Sequence, residues 1–428
     1  MVNATFLGSL GNFVLMPSRV SWERQILPNG LTVLLYPKLS AMTTQISVAV
    51  KYGSNDDNAE NMGTAHFLEH LLVGGSKKRI DLHHEIEKLG GSSYFETSPE
   101  CTFTKVDVFP EKVTQISKIL SDLLFDPKIE KDKVEIERKV ILNEIAEVSD
   151  DPTSKTMETL LKSIFKSHPI RNPIAGTKQA VKRLTTSQLE NSHQKYYVPE
   201  NMVLILTGNF SAADKEAIIG DFESHKNKGT TSRATVNSDD CKPKRETKIE
   251  RAGVAQAYLC FGFRTVPASD PAVPALDLID SILGTGESAR LFVELREKRA
   301  LTYDIGAINI SGLDYGFFAV DCAVKPKALK QTQTIIQDEL EKLKTQPVGK
   351  AELEKSKNLL IANHYRTLDN PHELPIMIAD SEIHHKNPQA LQNYLDRIAQ
   401  LSEKEIAETA NKYFKDENYA WTILTGKQ

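Results

Sequence analysis

Lys195-Tyr196-Tyr197-Val198-Pro199-Glu200-Asn201 returns 217 residues later as Lys412-Tyr413-Phe414-Lys415-Asp416-Glu417-Asn418. Each copy runs into an apolar, strand-like segment that ends in Thr-Gly, at Thr207-Gly208 and at Thr425-Gly426. A second segment repeats at the same offset: Lys133-Val134-Glu135-Ile136-Glu137 matches Lys350-Ala351-Glu352-Leu353-Glu354. Two separated segments that share one offset argue for duplication of a whole domain. A chain of 428 residues has room for two such domains, each with its own core.

Within each copy the pattern is α+β. Leu31–Tyr36 and Gln45–Val50 read as early strands, and Ala255–Phe263 as their counterpart in the second copy. Helical periodicity follows at about 62–73, 81–89, 112–125 and 130–149, then near 273–283, 327–344 and 349–366. Residues 224–246 are rich in Lys, Thr, Ser and Asp and have the composition of a polar linker. The expected division is therefore a first domain at 1–223, a linker at 224–246 and a repeat domain at 247–428.

The first copy carries His66-Phe67-Leu68-Glu69-His70. Histidines at i and i+4 lie on one helical face, about 5–6 Å apart at Cβ, close enough to share a metal ion. Glu69 stands beside that pair without having to ligate, where a carboxylate takes a proton from water. The spacing H-x-x-E-H inverts the usual zinc-protease signature and marks the inverzincin metallopeptidases. Gly63-Thr64 supplies a helix start, and Leu68, Leu71, Leu72 and Val73 supply residues for burial.

Such a site needs a third protein ligand. The acid-rich helical stretch 134–147 offers Glu137, Glu144 and Glu147. The repeat chooses among them, because at its offset Glu137 faces Glu354 whereas Glu144 faces Ile361. Near the motif, Thr64–Leu72 has a loose counterpart in Val273–Ser281 that contains no histidine. The second copy thus lacks the histidines and the Glu144 carboxylate together, as expected of a metal site confined to the first. Glu144 is the expected third ligand and Glu137 a supporting acid.

His66-x-x-Glu69-His70 with Glu144 seventy-four residues on resembles the pitrilysin-type peptidases, which include insulin-degrading enzyme and mitochondrial processing peptidase. Glu137-Arg138-Lys139-Val140-Ile141-Leu142-Asn143-Glu144 is very similar to the segment that carries the third zinc ligand in the processing-peptidase branch. The likeness extends to Gly284–Phe292 and to Leu295-Arg296-Glu297-Lys298 through Leu301-Thr302-Tyr303, and it spans nearly the whole chain. It implies zinc held by His66, His70 and Glu144, with Glu69 as base. It also implies that Arg296 and Tyr303 hold the substrate carbonyl, and that antiparallel sheets flanked by helices build a chamber closed by two chains. A peptide or unfolded polypeptide is the implied substrate. Because this chain carries both a zinc half and an Arg296/Tyr303 half, a homodimer is expected over a heterodimer. The competing reading is a non-catalytic partner subunit of the same fold. One departure stands out: where active relatives carry Asn-Ala in the strand that pairs with substrate, this chain has Tyr94-Phe95.

Composition excludes other classes. A net charge of −4 gives no basis for nucleic-acid binding, and the Lys-rich runs are offset by acids. Cys101, Cys241, Cys260 and Cys322 show no C-x-x-C spacing and read as free thiols. No stretch approaches 18 apolar residues, so no membrane span is expected. The first residues lack a basic n-region, which makes a cytoplasmic location the expectation. His83-His84, His364, His372 and His384-His385 have no partner motif, and His384-His385 read as part of a polar segment.

Overall fold

The computed structural model describes residues 20–78, 82–226, 243 and 245–427. Its strands form two sheets. In the first half, β1 (Glu23–Ile26), β2 (Thr32–Pro37), β3 (Thr44–Val50), β4 (Ser92–Thr97), β5 (Thr102–Val108) and β6 (Met202–Gly208) assemble as β1-β2-β6-β3-β5-β4. In the second, β7 (Glu246–Arg251), β8 (Ala257–Arg264), β9 (Thr302–Ser311), β10 (Gly316–Val324) and β11 (Tyr419–Gly426) assemble as β7-β11-β8-β10-β9. Apart from β1, the two orders correspond strand for strand. The repeated Lys-Tyr segments lead into the equivalent strands β6 and β11.

The expected antiparallel sheets need one amendment. β2 pairs with β6, and β7 with β11, in parallel. A parallel pair cannot be closed by a hairpin, and in each half the intervening strands and helices make the crossover.

The first half contains α1 (Thr64–Val73), α2 (Leu82–Glu87), α3 (Val113–Phe125), α4 (Lys131–Asp150), α5 (Pro152–Ile164), α6 (Lys178–Arg183), α7 (Thr186–Tyr196) and α8 (Ala212–Glu223). The second contains α9 (Val273–Gly284), α10 (Leu329–Thr345), α11 (Lys350–Asp369), α12 (Leu374–His385), α13 (Ala390–Gln400) and α14 (Glu403–Tyr413). The repeated acidic segments begin α4 and α11, both 20 residues long.

Each sheet buries one face under helices of its own half. Ile46, Val48, Val106 and Leu204 pack with Phe67, Leu71, Ile116 and Leu120. Leu259, Phe261 and Val320 pack with Leu276, Ile279, Ile336 and Leu340. The opposite faces are covered by exchange. Leu374, Ile378 and Ile383 of α12 lie against Leu34, Ala49, Val203 and Ile205 of the first sheet. Leu160 and Ile164 of α5 lie against Cys260, Phe317, Ala319 and Ala420 of the second. Amphipathicity at helical period announces such faces but not which sheet they cover.

Polar contacts tie the junction. Glu100, buried in the β4–β5 turn, accepts a hydrogen bond from Leu313 N at 2.6 Å and lies 2.6 Å from His384 Nε2. His168 Nε2 stands 3.1 Å from Asp314 in the β9–β10 turn. His384 and His385 therefore end α12 and do not belong to a polar segment. The apolar Leu374, Ile378 and Ile383 make it a sheet-covering helix, which the polar residues around it obscure.

Cys101, Cys260 and Cys322 are buried free thiols, and Cys241 lies outside the described residues. So does most of the expected linker, whose last residue, Glu246, opens β7. Among the described residues, no helix is long and apolar enough to cross a membrane.

Candidate metal centre

Helix α1 buries Thr64, Ala65, Phe67, Leu68, Leu71 and Leu72. The remaining stripe, His66, Glu69, His70 and Val73, turns away from the core, as a 3.6-residue period requires. The helix starts at Gly63, which has φ +93° and no side chain with which to cap. The cap comes from elsewhere. The buried Asp57 carboxylate accepts from Gly63 N at 2.9 Å, from Ala65 N at 3.3 Å and from the Tyr52 hydroxyl at 2.7 Å. It satisfies two of the amides that a helix start leaves without partners.

Helix α4 packs across α1. It buries Val134 and Ile141, and its Arg138 is anchored to the carbonyls of Val181 and Leu184 while lying over the Phe67 ring at 5.5 Å. Glu137 and Glu144, two turns apart, flank Ile141 and so reach the histidine stripe. Donor atoms of His66, His70 and Glu144 all lie within 4.8 Å of one another. Glu144 Oε2 is 3.3 Å from His70 Nε2 and 3.8 Å from His66 Nε2. Donors around a tetrahedral ion with bonds of about 2.0–2.1 Å stand roughly 3.3 Å apart, so the set fits a divalent metal. Glu137 Oε2 stands 3.3 Å from His70 Nδ1, which orients the ring with Nε2 toward Glu144. Glu147 is exposed and outside the cluster.

Electrostatics agree with ligation. Burial, and then the charge of His70, push His66 down to about 4, so its imidazole is neutral at pH 7, the form that binds metal. Burial raises the Glu69 carboxyl above the usual carboxylate range, against the hydrogen bond donated by Thr97 Oγ1 at 2.8 Å. A raised carboxyl suits a group that must take up and release a proton.

Arg296 and Tyr303 stand apart from this cluster. Arg296, on a π-helical turn at Phe292–Glu297, stacks over the Tyr303 ring at 4.4 Å and the Phe292 ring at 4.7 Å. Tyr303 is 81% exposed. Among the described residues, neither makes a hydrogen bond or ion pair with His66, Glu69, His70 or Glu144. Sequence reasoning missed Thr97, Asp57 and Arg138. Thr97 reaches Glu69 only through strand register, and Asp57 caps a helix that starts six residues later, so neither leaves a local signal.

Comparisons with known proteins show the family. The family profile described as insulinase (peptidase family M16) matches residues 32–178, and the one described as peptidase M16 inactive domain matches residues 183–360. The chain belongs to peptidase family M16. It is 28% identical over 413 residues to an uncharacterized zinc protease of Mycobacterium leprae, covering 94% of this chain and 91% of that protein. It is 24% identical over 408 residues to an uncharacterized zinc protease, YmxG, of Bacillus subtilis, covering 94% and 98% respectively. Its fold matches the crystal structure of a protease from Helicobacter pylori with a TM-score of 0.88 at 22% identity, over 95% of this chain and 100% of that one.

Proposed function

We propose that this chain is a zinc-dependent endopeptidase that cleaves peptides or unfolded polypeptide segments. The observation that carries this reading is the half-buried His66/His70/Glu144 donor set on α1 and α4, with Glu69 beside it and fixed by Thr97. A zinc ion bound there supplies Lewis acidity toward water and the scissile carbonyl. Glu69 takes the proton from the attacking water and passes it to the leaving amine. Glu137 holds the His70 ring in place through Nδ1. The free edge of β4, whose Thr97 touches Glu69, receives the substrate as an added strand.

The proposal extends to assembly. The half-buried Arg296 and the exposed Tyr303 form a stacked pair remote in bonding from the metal cluster of their own chain. This supports a homodimer in which each chain's pair holds substrate at the zinc of the other, around a shared chamber.

The test is zinc content by elemental analysis together with cleavage of an unstructured peptide library, with and without chelator. His66→Ala, His70→Ala and Glu144→Gln are expected to lose zinc. Glu69→Gln should retain it and lose turnover by about 100-fold or more. Normal cleavage by zinc-loaded Glu69→Gln protein would remove Glu69 from its role and the reading with it.

A further inference from the structure

Tyr94 is 43% exposed on β4, an edge strand that among the described residues pairs with β5 alone. Alternation along β4 sends Phe95 and Thr97 to the face that carries α1, where Phe95 meets the His83 ring at 6.5 Å and Thr97 meets Glu69. Tyr94 and Glu96 point to the opposite face, with their β5 partners Lys105 and Phe103. Phe103 belongs to the apolar cluster under α12, so this face is turned toward the second half.

The two side chains are tied to each other. The Tyr94 hydroxyl donates to Glu96 Oε2 at 3.0 Å, which stands the phenol ring up as a wall beside a carboxylate. The cations of this face are already engaged. Lys105 Nζ lies 2.8 Å from His372 Nδ1 and donates to the His372 carbonyl at 3.1 Å, leaving it 5.4 Å from the Tyr94 ring centre. Arg24 is paired with Glu382. The surroundings are acidic. The acidic neighbours of Glu96 include Asp380 and Glu100. Lys105 thus lies over the Tyr94 ring from the β5 side, while Glu96 has no ion-pair partner among the described residues.

We propose that Tyr94 and Glu96 select a basic side chain, lysine or arginine, in the polypeptide that pairs with the free edge of β4. The inference rests on the peptidase reading above. A strand added to β4 puts every second side chain on the Tyr94/Glu96 face, about 4.5–5.5 Å at Cβ from its opposite number. From there a lysine or arginine lays its methylenes along the phenol ring, within the roughly 6 Å of a cation–π contact, and brings its charge to Glu96. An acidic side chain in the same place faces Glu96 and is rejected.

The experiment uses the zinc-loaded full chain with Glu69→Gln, so that peptides are bound and not cut. Fluorescent decapeptides identical except at one scanned position carry lysine, norleucine, arginine, citrulline or glutamate there, and fluorescence anisotropy reads the dissociation constants. At one register the lysine and arginine peptides should bind about tenfold tighter than norleucine and citrulline, and glutamate weakest. Adding Glu96→Gln should erase that difference, and adding Tyr94→Leu should shrink it about threefold. Glu216→Gln, the same change of charge on the exposed side of α8, should leave it intact. Equal binding of lysine and norleucine at every register, with cleavage normal in the unmutated chain, overturns the patch and spares the peptidase. So does a preference that survives Glu96→Gln. Failure of every peptide both to bind and to be cleaved overturns both readings.

Discussion

Asp280 lies on α9 one turn beyond Asp277, on the helix that occupies in the second half the place of α1 in the first. Asp277 is satisfied by Asn309 Nδ2 at 2.7 Å and the Tyr394 hydroxyl at 2.8 Å. Asp280 Oδ1 is buried without a hydrogen-bond partner among the described residues. Burial first, and then the Asp277 charge, push the Asp280 carboxyl up to about 8. An acid whose pKa is higher in the folded than in the unfolded chain holds its proton on folding. Its stabilising contribution is complete below the unfolded value near 3.9 and is lost as pH rises to about 8. Asp280→Asn removes this titration while keeping the shape. The variant's stability relative to the unmutated chain should climb from near zero at pH 4 by a few kcal/mol at pH 8, and then level off. Urea titrations at pH 5, 6, 7, 8 and 9 read the difference; a gap that does not widen with pH defeats this account.

At the scale of the element, α1 depends on its first turn. A Cβ placed on Gly63 would sit 2.6 Å from the Ala175 carbonyl oxygen at a φ of +93°. Gly63→Ala is therefore expected to cost about 1–3 kcal/mol and to weaken zinc binding by shifting the histidine stripe. Gly349→Ala, at the start of α11 with no atom within 4 Å of the added Cβ, should change stability by about 0.5 kcal/mol or less. Thermal unfolding and zinc competition with a chromophoric chelator measure both; equal effects at the two glycines would count against a positioned α1. The extent of α1 and of α4 was legible in the sequence, because Gly63-Thr64, the apolar pattern and the repeat are local signals. The His66, His70 and Glu144 set was legible for the same reason, since spacing and the repeat offset converge on it. The crossing of α5 and α12 was not, because periodicity reports an apolar face and not its destination. Asp57 and Thr97 act across space and leave no trace in spacing.

At the scale of the whole molecule, the proposed homodimer makes its own forecast. Glu69→Gln and Tyr303→Phe chains are each expected to be inactive. A mixed dimer pools both defects in one site and leaves the other intact. Random reassociation of the two should thus restore roughly a quarter of normal peptidase activity by site counting. Light scattering and native mass spectrometry establish that subunits have exchanged. A mixture that stays inactive after exchange places Arg296 and Tyr303 at their own chain's zinc, and a Tyr303→Phe chain that is active alone puts Tyr303 outside the reaction.

The exchange of α5 and α12 bears on the metal centre in a further way. Helix α4 leans on α1 through Glu137 and Glu144, yet its last turn is gripped from the second half: Arg251 of β7 donates to the carbonyls of Ser149 and Asp150 and to the Asp150 carboxylate. One residue later the chain enters α5, which is seated on the second sheet. Glu144 therefore rides on a beam with one bearing in each half. A rotation of one half against the other must carry the end of that beam with it, so the orientation of the halves and the position of the proposed third ligand are mechanically one variable.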